Sequence, residues 1–250
     1  MSDPQLLFLA GLGRSGTSAL TEVVGAHPEI VLGMERFKRR WKAKIGELDA
    51  GHFTKERFFD FSDGLTNVVP AGSPRWTEFY GRMEAKWDQA RYVGDKFTTL
   101  QMPGVWKNMP DAKFICIVRD IREVASSWEK RAANQADKGW PARLDAHRAV
   151  EVWNNGNARI LRATENRPDQ VRVLDYATFF GAADAGPLRR ALDWLGLDWT
   201  PEVEAEFGAA HQKYVGSIAN KDRKLPRDMQ KFIRRNTDQK RYERLLTRVL

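Results

Sequence analysis

Residues Leu6 to Ser18 read LLFLAGLGRSGTS, and this stretch determines which fold to expect. Its first half, Leu6–Ala10, is an apolar run with the length of one buried strand. A glycine-rich turn from Gly11 to Ser18 follows, and a helical pattern begins at Gly16. A strand, a tight turn and a helix in this order point main-chain N–H groups and a helix N-terminus at one spot, which is an arrangement that binds phosphate.

The turn departs from the common nucleotide-binding loop at one position. Gly11 and Gly16 have the spacing of G-x-x-x-x-G-K-[ST], but Thr17 stands where the lysine belongs. A cation, Arg14, lies inside the loop instead. The candidate phosphate-binding residues of this turn are Gly13, Arg14, Ser15, Gly16, Thr17 and Ser18.

Short apolar runs alternate with longer helical patterns along the chain. Strands are predicted at Leu6–Ala10, Tyr92–Gly94, Lys113–Val118 and Val171–Leu174, the last of them near a sheet edge. Helices are predicted at Gly16–Ala26, Arg122–Asn134, Ala142–Glu165, Pro187–Leu195 and Pro201–His211. The alternation predicts an α/β fold, a central parallel sheet flanked by helices on both faces.

The length and the charge distribution suggest how the chain is organised. A chain of 250 residues is long enough for one domain, so we expect a single domain over 1–250 with a helical insert around 34–70. The net charge of +8 comes from His211–Leu250, where twelve Lys or Arg face four Asp or Glu. We expect a basic C-terminal lid and helix around 212–250, with Arg234–Arg248 as a solvated helical face.

The composition excludes several classes of protein. No apolar run approaches the roughly 18–20 residues that span a bilayer, and Met1–Gln5 lacks the basic region of a signal peptide. A cytoplasmic protein without a membrane span is therefore expected. Cys116, the only cysteine, lies in an apolar run and is interpreted as an inert core thiol. The four histidines show no metal-binding spacing, so no metal site is predicted.

A second segment carries a candidate phosphate site. The strand Lys113–Val118 ends at Arg119, and Ser127 follows eight residues later, just over two helical turns along. Both side chains can approach one ligand group, with Ser126 as an alternative to Ser127. Ligands of parallel sheets bind beyond the carboxyl ends of the strands, so Asp95-Lys96 and Asp175-Tyr176 are expected to line the same crevice.

Together, these segments resemble sulfotransferases that use 3′-phosphoadenosine-5′-phosphosulfate (PAPS). Gly11–Ser18 is similar to the 5′-phosphosulfate loop of that family, and Arg119 with Ser127 to its 3′-phosphate motif. The similarity is greatest to tyrosyl-protein sulfotransferases and a related bacterial group, where a His-Pro turn, here His27-Pro28, leads to a glutamate, here Glu35. The resemblance implies a P-loop-type, three-layer sulfotransferase fold.

The resemblance also implies roles for individual residues. Glu35 is expected to act as the general base on the acceptor hydroxyl, and Arg14 and Lys96 to stabilise charge on the reacting groups without a metal. The donor would be PAPS and the product adenosine 3′,5′-bisphosphate (PAP). Further nucleotide-binding residues implied by the resemblance are Tyr176, Ser217, Lys221 and Arg223.

Structural roles remain open for three of these residues. Glu35 can pair with its own basic neighbours, which is common for a carboxylate beside lysine and arginine. Lys96 can pair with Asp95 or Asp120. Tyr176 either stacks on the adenine or caps the core.

The acceptor is less defined by the sequence than the donor. It is a hydroxyl compound: a carbohydrate, a lipid, a phenolic metabolite or a peptide tyrosine. The basic run Arg36–Lys44 suggests an acidic acceptor, and Trp41, Trp106 and Trp128 are expected near the acceptor pocket. A homodimer is compatible with the sequence.

Two other functions fit parts of the pattern. A nucleoside or metabolite kinase with an atypical loop would need Mg²⁺ and a lysine on the phosphates, where this chain has Thr17. A non-catalytic nucleotide or nucleic-acid binder would use the basic C-terminus. No DNA-binding or RNA-binding motif supports that function, so no nucleic-acid partner is expected.

Overall fold

Five parallel strands form the central sheet of the computed structural model, which describes residues 3–98, 101–134, 136–137, 139–219 and 225–250. The strands are β1 (Gln5–Gly11), β2 (Ile30–Gly33), β3 (Tyr92–Phe97), β4 (Lys113–Val118) and β5 (Val171–Asp175). Their order across the sheet is β2-β3-β1-β4-β5. The predicted α/β fold is confirmed, and β5 lies at an edge as predicted.

Helices surround the sheet on both faces. They are α1 (Thr17–Val24), α2 (Lys38–Ala43), α3 (Lys55–Phe59), α4 (Pro74–Ala85), α5 (Met102–Asn108), α6 (Ile121–Ala132), α7 (Ala146–Asn166), α8 (Tyr176–Gly181), α9 (Gly186–Leu195), α10 (Pro201–Ala219), α11 (Arg227–Asn236) and α12 (Gln239–Leu246). None of the helices in the described ranges combines the length and the apolar character needed to cross a bilayer.

The alternation of side chains along β1 explains why both faces are covered. Successive residues of a strand point to opposite faces, so Leu7 and Leu9 pack on one side and Phe8 and Ala10 on the other. All four are fully buried. The first side is covered by α1 and α8–α10, and the second by helices that include α4–α7. Burial of both faces is what a short, continuous apolar run requires.

Two strand predictions differ from the structure. The strand β2 was not expected, because four apolar residues directly after the His27-Pro28 turn are too few to show an alternating pattern. It is the second edge strand and pairs with β3. In addition, β3 continues to Phe97, so that Asp95 and Lys96 lie within the strand rather than after it.

Two helix boundaries differ from the prediction by four residues or more. The helix α7 begins at Ala146 instead of Ala142, because the Asp145 side chain accepts a hydrogen bond from the Arg148 N–H and caps the helix there. The helix α10, which was predicted to end at His211, continues through Gly216 to Ala219. One glycine weakens a helix by only about 1 kcal/mol, which packing against α1 and α8 outweighs.

The segment 34–70 is built from short helices and 3₁₀ turns around a buried arginine. The Arg36 side chain is fully buried, pairs with Asp63 at 2.8 Å and donates to the Phe58 carbonyl at 2.7 Å. Its guanidinium lies 4.7 Å from the centre of the Phe61 ring. Arg40 is ion-paired with Glu47. The interpretation of Arg36–Lys44 as a basic surface for an acidic acceptor is therefore wrong for Arg36, whose charge is used inside the fold, while the charge of Arg40 is paired with Glu47 at the surface.

The C-terminal helices keep their charges outside. Met229 and Ile233 of α11 and Tyr242 and Leu245 of α12 are buried, while the arginines between 234 and 248 point outward or lie at the rim. The predicted lid residues Lys221 and Arg223 lie outside the described residues. Cys116 is buried, as expected of a core thiol, and burial raises the pKa of its thiol to about 12.

The closest approach of two strands gives a test of the sheet. A Cβ atom added at Gly94 of β3 would lie 1.7 Å from the Leu7 carbonyl oxygen of β1. We expect Gly94→Ala to lower the free energy of unfolding by about 3 kcal/mol or more, because two backbones must separate. Denaturant unfolding measures this change.

The matched control is Gly81→Ala on the exposed face of α4. A Cβ atom there meets nothing within 4 Å. The exchange should leave the protein as stable or up to about 1 kcal/mol more stable, because alanine favours a helix. Equal effects of the two substitutions would contradict the described pairing of β1 and β3.

Candidate active site

The turn between β1 and α1 has the shape of an anion cradle. Arg14 and Gly16 both have left-handed backbones, with φ of 75° and 92°, and the Ser15 N–H donates to the Leu12 carbonyl at 3.0 Å. A Cβ atom at Gly16 would lie 2.6 Å from the Tyr176 ring, so only glycine fits there. Such a turn directs consecutive N–H groups toward one point at the start of a helix.

The Ser15 hydroxyl shows that a polar ligand fits this turn. Ser15 is fully buried, and its Oγ has no hydrogen-bond partner within the part of the chain that the structure describes. A buried hydroxyl without a partner costs about 1–3 kcal/mol. An anion in the turn would provide the missing partner, so the residues present fit a phosphate or a sulfate group.

Arg119 joins the turn to the end of β4. Its Nη1 donates to the Arg14 carbonyl at 3.0 Å, and its Nε donates to Glu123 Oε2 at 2.7 Å. The guanidinium lies 3.8 Å from the centre of the Tyr176 ring. Arg119 is buried by these contacts, and it lies at the strand end where the sequence predicted it.

Arg14 and Ser127 meet across the cleft. The Arg14 Nε donates to the Ser127 Oγ at 3.0 Å. Partial burial lowers the pKa of the Arg14 guanidinium, and repulsion by the nearby positive charges of Arg131 and Arg119 lowers it further. The positive charges of Arg14, Arg119 and Arg131 therefore lie close together at this side of the cleft, where they would attract an anion.

A cleft of about 430 Å³ opens between these residues and α10. Six predicted site residues line this cleft: Arg14, Gly16, Arg119, Ser127, Tyr176 and Ser217. Lys213 and Tyr214 of α10 complete the wall, and the Ser217 hydroxyl donates to the Tyr214 carbonyl at 2.7 Å. The volume is in the range of small-molecule sites.

Lys96 and Glu35 form a buried ion pair beside the start of α1. The Lys96 Nζ lies 2.9 Å from Glu35 Oε1 and 3.2 Å from the Ser18 Oγ. Lys38 approaches the other oxygen of Glu35 at 2.5 Å. Burial alone would raise the pKa of Glu35, but Lys96 and Lys38 outweigh it and lower the pKa below the usual value of a carboxyl group.

Glu35, Lys96 and Tyr176 each make some of the structural contacts that the sequence left open. Glu35 pairs with Lys38, its basic neighbour, and also with Lys96, so Lys96 is paired with Glu35 rather than through its side chain with Asp95 or Asp120. Tyr176 packs on Phe180 and beneath Arg119 while one side of it faces the cleft.

The remaining predicted residues lie in different surroundings. Ser126 is not among the residues that line the cleft, whereas Ser127 is. The Thr17 side chain is buried below the turn, 2.7 Å from where a Cβ atom at Gly11 would be. The Gly13 carbonyl accepts a hydrogen bond from the Trp128 indole at 2.9 Å.

The three tryptophans expected near an acceptor pocket lie in different parts of the molecule. Trp41 is fully buried in the core and packs on Phe97 at 5.4 Å between ring centres. Trp106 is buried and donates to the Ala112 carbonyl at 2.8 Å. Trp128 supports the turn through Gly13. Sequence position alone does not show which side of a helix or loop a large ring takes.

Three residues in or beside the cleft were not predicted from the sequence. Glu123, in the first turn of α6, lies four residues after Arg119, so its ion pair with that arginine could have been expected from the spacing alone. Lys213 and Tyr214 offered no such signal, because α10 reaches the cleft only through the packing of the whole layer.

The unpartnered hydroxyl gives a test of the cradle in the ligand-free protein. We expect Ser15→Ala to leave the free energy of unfolding unchanged or to raise it by up to about 1 kcal/mol, because a buried polar atom without a partner is removed. Chemical denaturation in phosphate-free and sulfate-free buffer measures this.

Ser127→Ala is the matched control, since its Oγ accepts from Arg14. Loss of that hydrogen bond should lower the free energy of unfolding by about 1 kcal/mol. A Ser15→Ala protein destabilised by more than its control would show that the Ser15 hydroxyl has a partner in the free protein.

Comparison with known proteins agrees with this geometry. The profile described as "Sulfotransferase family" matches residues 4–201. A protein of Caenorhabditis briggsae, named as a candidate protein-tyrosine sulfotransferase, is 24% identical over 205 residues, which are 80% of this chain and 68% of that protein.

Solved structures show the same fold. The sulfotransferase domain from the curacin biosynthetic pathway superimposes with a TM-score of 0.54 at 15% identity, over 94% of this chain and 98% of that one. The sulfotransferase domain of the Synechococcus PCC 7002 olefin synthase gives 0.51 at 18% identity, over 81% and 77%. With the phosphate turn, the second arginine and the matching profile in place, the chain belongs to the sulfotransferase family.

Proposed function

We propose that this sulfotransferase uses PAPS as donor and transfers its sulfuryl group by in-line displacement to a hydroxyl of the acceptor. The observation that carries the proposal is the position of Lys96, whose ammonium contacts both the Glu35 carboxylate and Ser18 at the start of α1. A base, a cation and the phosphate turn therefore meet at one point, which is what transfer from a phosphate leaving group to a hydroxyl needs.

The two ends of the donor fit the two electropositive regions. The turn from Gly13 to Ser18 would hold the 5′-phosphosulfate, with the Ser15 hydroxyl and Arg14 as donors of hydrogen bonds. Arg119 and Ser127 would hold the 3′-phosphate, because a guanidinium forms strong paired hydrogen bonds with phosphate oxygens. Tyr176 and Ser217 line the space between them. Lys221 and Arg223, which lie outside the described residues, are proposed as further nucleotide-binding residues.

Each reacting group has a counterpart in the protein. The donor supplies an activated sulfuryl group when bound. Glu35 is ionised at neutral pH because Lys96 and Lys38 lower its pKa, so it can accept the proton of the acceptor hydroxyl. Lys96 and Arg14 stabilise the negative charge that develops on the leaving phosphate, and the proposal assigns no role to a metal ion.

The acceptor class follows from the family and is broad. A carbohydrate, a lipid, a phenolic metabolite and a peptide tyrosine each present a hydroxyl to Glu35. The name of the Caenorhabditis briggsae relative favours a tyrosine hydroxyl as the first acceptor to test. A cytoplasmic location and a homodimer stay predictions from the sequence.

Radiolabelled sulfate transfer tests the proposal as a whole. The protein is incubated with labelled PAPS and EDTA in the presence of tyrosine peptides, phenols, sugars and lipid alcohols. Label should move to at least one hydroxyl class while PAP accumulates. Transfer that requires a divalent cation, or phosphate transfer from ATP to the same acceptors, would contradict it.

The 3′-phosphate assignment predicts a binding defect. We expect Arg119→Ala to weaken PAP binding by more than about tenfold, which corresponds to about 1.4 kcal/mol or more for a lost charged hydrogen bond. Calorimetric titration with PAP measures the affinity. The control is Arg122→Ala, which removes an exposed arginine paired with Asp120 on the same helix and should leave the affinity unchanged. Equal affinities of the two variants would refute the role of Arg119.

The assignment of the base predicts a loss of turnover without a loss of binding. Glu35→Gln should reduce kcat by about 10²–10⁴, because the amide cannot accept the proton. Its affinity for PAP should stay within about twofold of the wild-type value. Glu47→Gln, which alters a carboxylate paired with Arg40 on the same segment, is the control and should retain full turnover. Normal turnover of Glu35→Gln removes Glu35 from the mechanism.

A further inference from the structure

A buried carboxylate beside the transfer site has no role in the chemistry described so far. Asp95 lies in β3 immediately before Lys96, opposite Gly33 of β2, and is fully buried. Within the described residues its carboxylate has no ion-pair partner. It accepts three main-chain hydrogen bonds instead, from the N–H groups of Arg36 and Phe37 at 2.9 Å each and of Lys96 at 2.8 Å.

Two of those N–H groups follow Glu35 directly. Glu35 has a left-handed backbone with φ of 57°, one of three non-glycine residues among the described ones to do so. A residue other than glycine in this region is strained by about 1–3 kcal/mol and needs support from its surroundings. The Oδ1 and Oδ2 atoms of Asp95 hold Arg36 and Phe37, and so fix the turn that directs the Glu35 side chain.

The neighbouring strand leaves space for this arrangement. A Cβ atom at Gly33 would lie 2.7 Å from Asp95 Oδ1, closer than side chains tolerate. A glycine at the end of β2 therefore lets the carboxylate reach the turn. The third hydrogen bond, which the Lys96 N–H donates to Asp95 Oδ1, ties the main chain of Lys96 to the same carboxylate.

We propose that Asp95 is the positioning residue of the transfer site, which holds Glu35 and Lys96 in contact through the main chain of the turn and of β3. This inference rests on the proposed function of Glu35 and Lys96. Asp95 touches neither the donor nor the acceptor. It acts by keeping the base and the cation 2.9 Å apart, and a small displacement of either group costs a large part of the rate.

The protonation state of Asp95 makes the pH dependence of turnover a second test of its role. Burial raises the pKa of Asp95 to about 6, although the three N–H groups counteract it, and the negative charge of Glu35 raises it as well. The Tyr80 hydroxyl on α4 is a further titratable group near Asp95, whereas Arg36 and Lys96 contact it through their main-chain N–H groups. The carboxylate is ionised above this pH and protonated below it, so turnover should fall as the pH drops through about 6.

Asp95→Asn is the direct test. An asparagine of the same shape places an N–H₂ group against a main-chain N–H, and one of the three hydrogen bonds is lost. We expect kcat to fall by at least about tenfold, with the KM for PAPS and the affinity for PAP within about threefold of wild type. The acid limb near pH 6 should disappear from the remaining activity, which a merely structural role would not cause.

The control removes a carboxylate that supports main chain elsewhere. Asp145→Ala deletes the cap of α7, whose Oδ1 accepts from the Arg148 N–H at 2.9 Å. Its melting temperature should fall while kcat and the pH profile stay those of the wild type. An Asp95→Asn protein with wild-type kcat and an unchanged acid limb would overturn the proposal.

Hydrogen exchange tests the proposal without a known acceptor, and a second variant tests it without relying on Asp95→Asn alone. Hydrogen exchange of the Phe37 amide should be at least about tenfold faster in Asp95→Asn than in wild type, because the asparagine N–H₂ group replaces Oδ2, the buried acceptor of that amide. Gly33→Ala, whose methyl group would displace the carboxylate, should reproduce that change. Unchanged exchange in either folded variant would overturn the proposal. Wild-type protein that neither binds PAP nor transfers sulfate overturns the proposed function instead.

Discussion

The buried ion pair of Lys96 and Glu35 is the interaction on which the rest of the site depends. Burial of two opposite charges is favourable only when their geometry is good and their remaining hydrogen-bonding capacity is used. Here Ser18 and Lys38 provide those further contacts. The pair brings together three segments that are far apart in sequence: the start of α1, the turn after β2 and the strand β3. The strand order β2-β3-β1 is what places them side by side.

The two arginines on the other side of the site, Arg119 and Arg14, are also held in place by contacts within the protein. Arg119 is fixed by the Arg14 carbonyl, Glu123 and the Tyr176 ring, and Arg14 is fixed by Ser127. The cations are thus oriented before a ligand arrives, which reduces the entropy lost on binding. The Ser15 hydroxyl is the exception, because it is buried and has no partner among the residues that the structure describes. An anionic ligand that accepts a hydrogen bond from this hydroxyl gains binding energy, because the described part of the free protein has no such bond to lose.

The sequence predicted those features that depend on local pattern. The strand, turn and helix of 6–26 and the pair Arg119 and Ser127 follow from hydrophobicity, glycine spacing and helical repeat, and the structure has the same elements there. The four residues of β2 carry no alternation, so that strand depended on its pairing with β3. The burial of Arg36 and the wall formed by α10 arise from contacts between distant segments, which no local pattern encodes.

Asp95 illustrates the same limit at the level of one side chain. In the sequence it is one acid beside a lysine, and the simplest interpretation was a pair between the two. In the structure its carboxylate faces main-chain N–H groups, while Lys96 turns toward Glu35. Residues in a strand alternate in direction, so neighbours such as these point to opposite sides. The register with Gly33 then decides what each of them meets.

We propose that the phosphate turn and Arg119 together select a nucleotide with a 3′-phosphate. Competition calorimetry of PAP against ATP, with EDTA in one series and Mg²⁺ in the other, tests this selectivity. PAP should bind without metal and at least about tenfold more tightly than ATP in both series, because only PAP presents a 3′-phosphate to Arg119 and Ser127. Tighter binding of Mg-ATP than of PAP would contradict it.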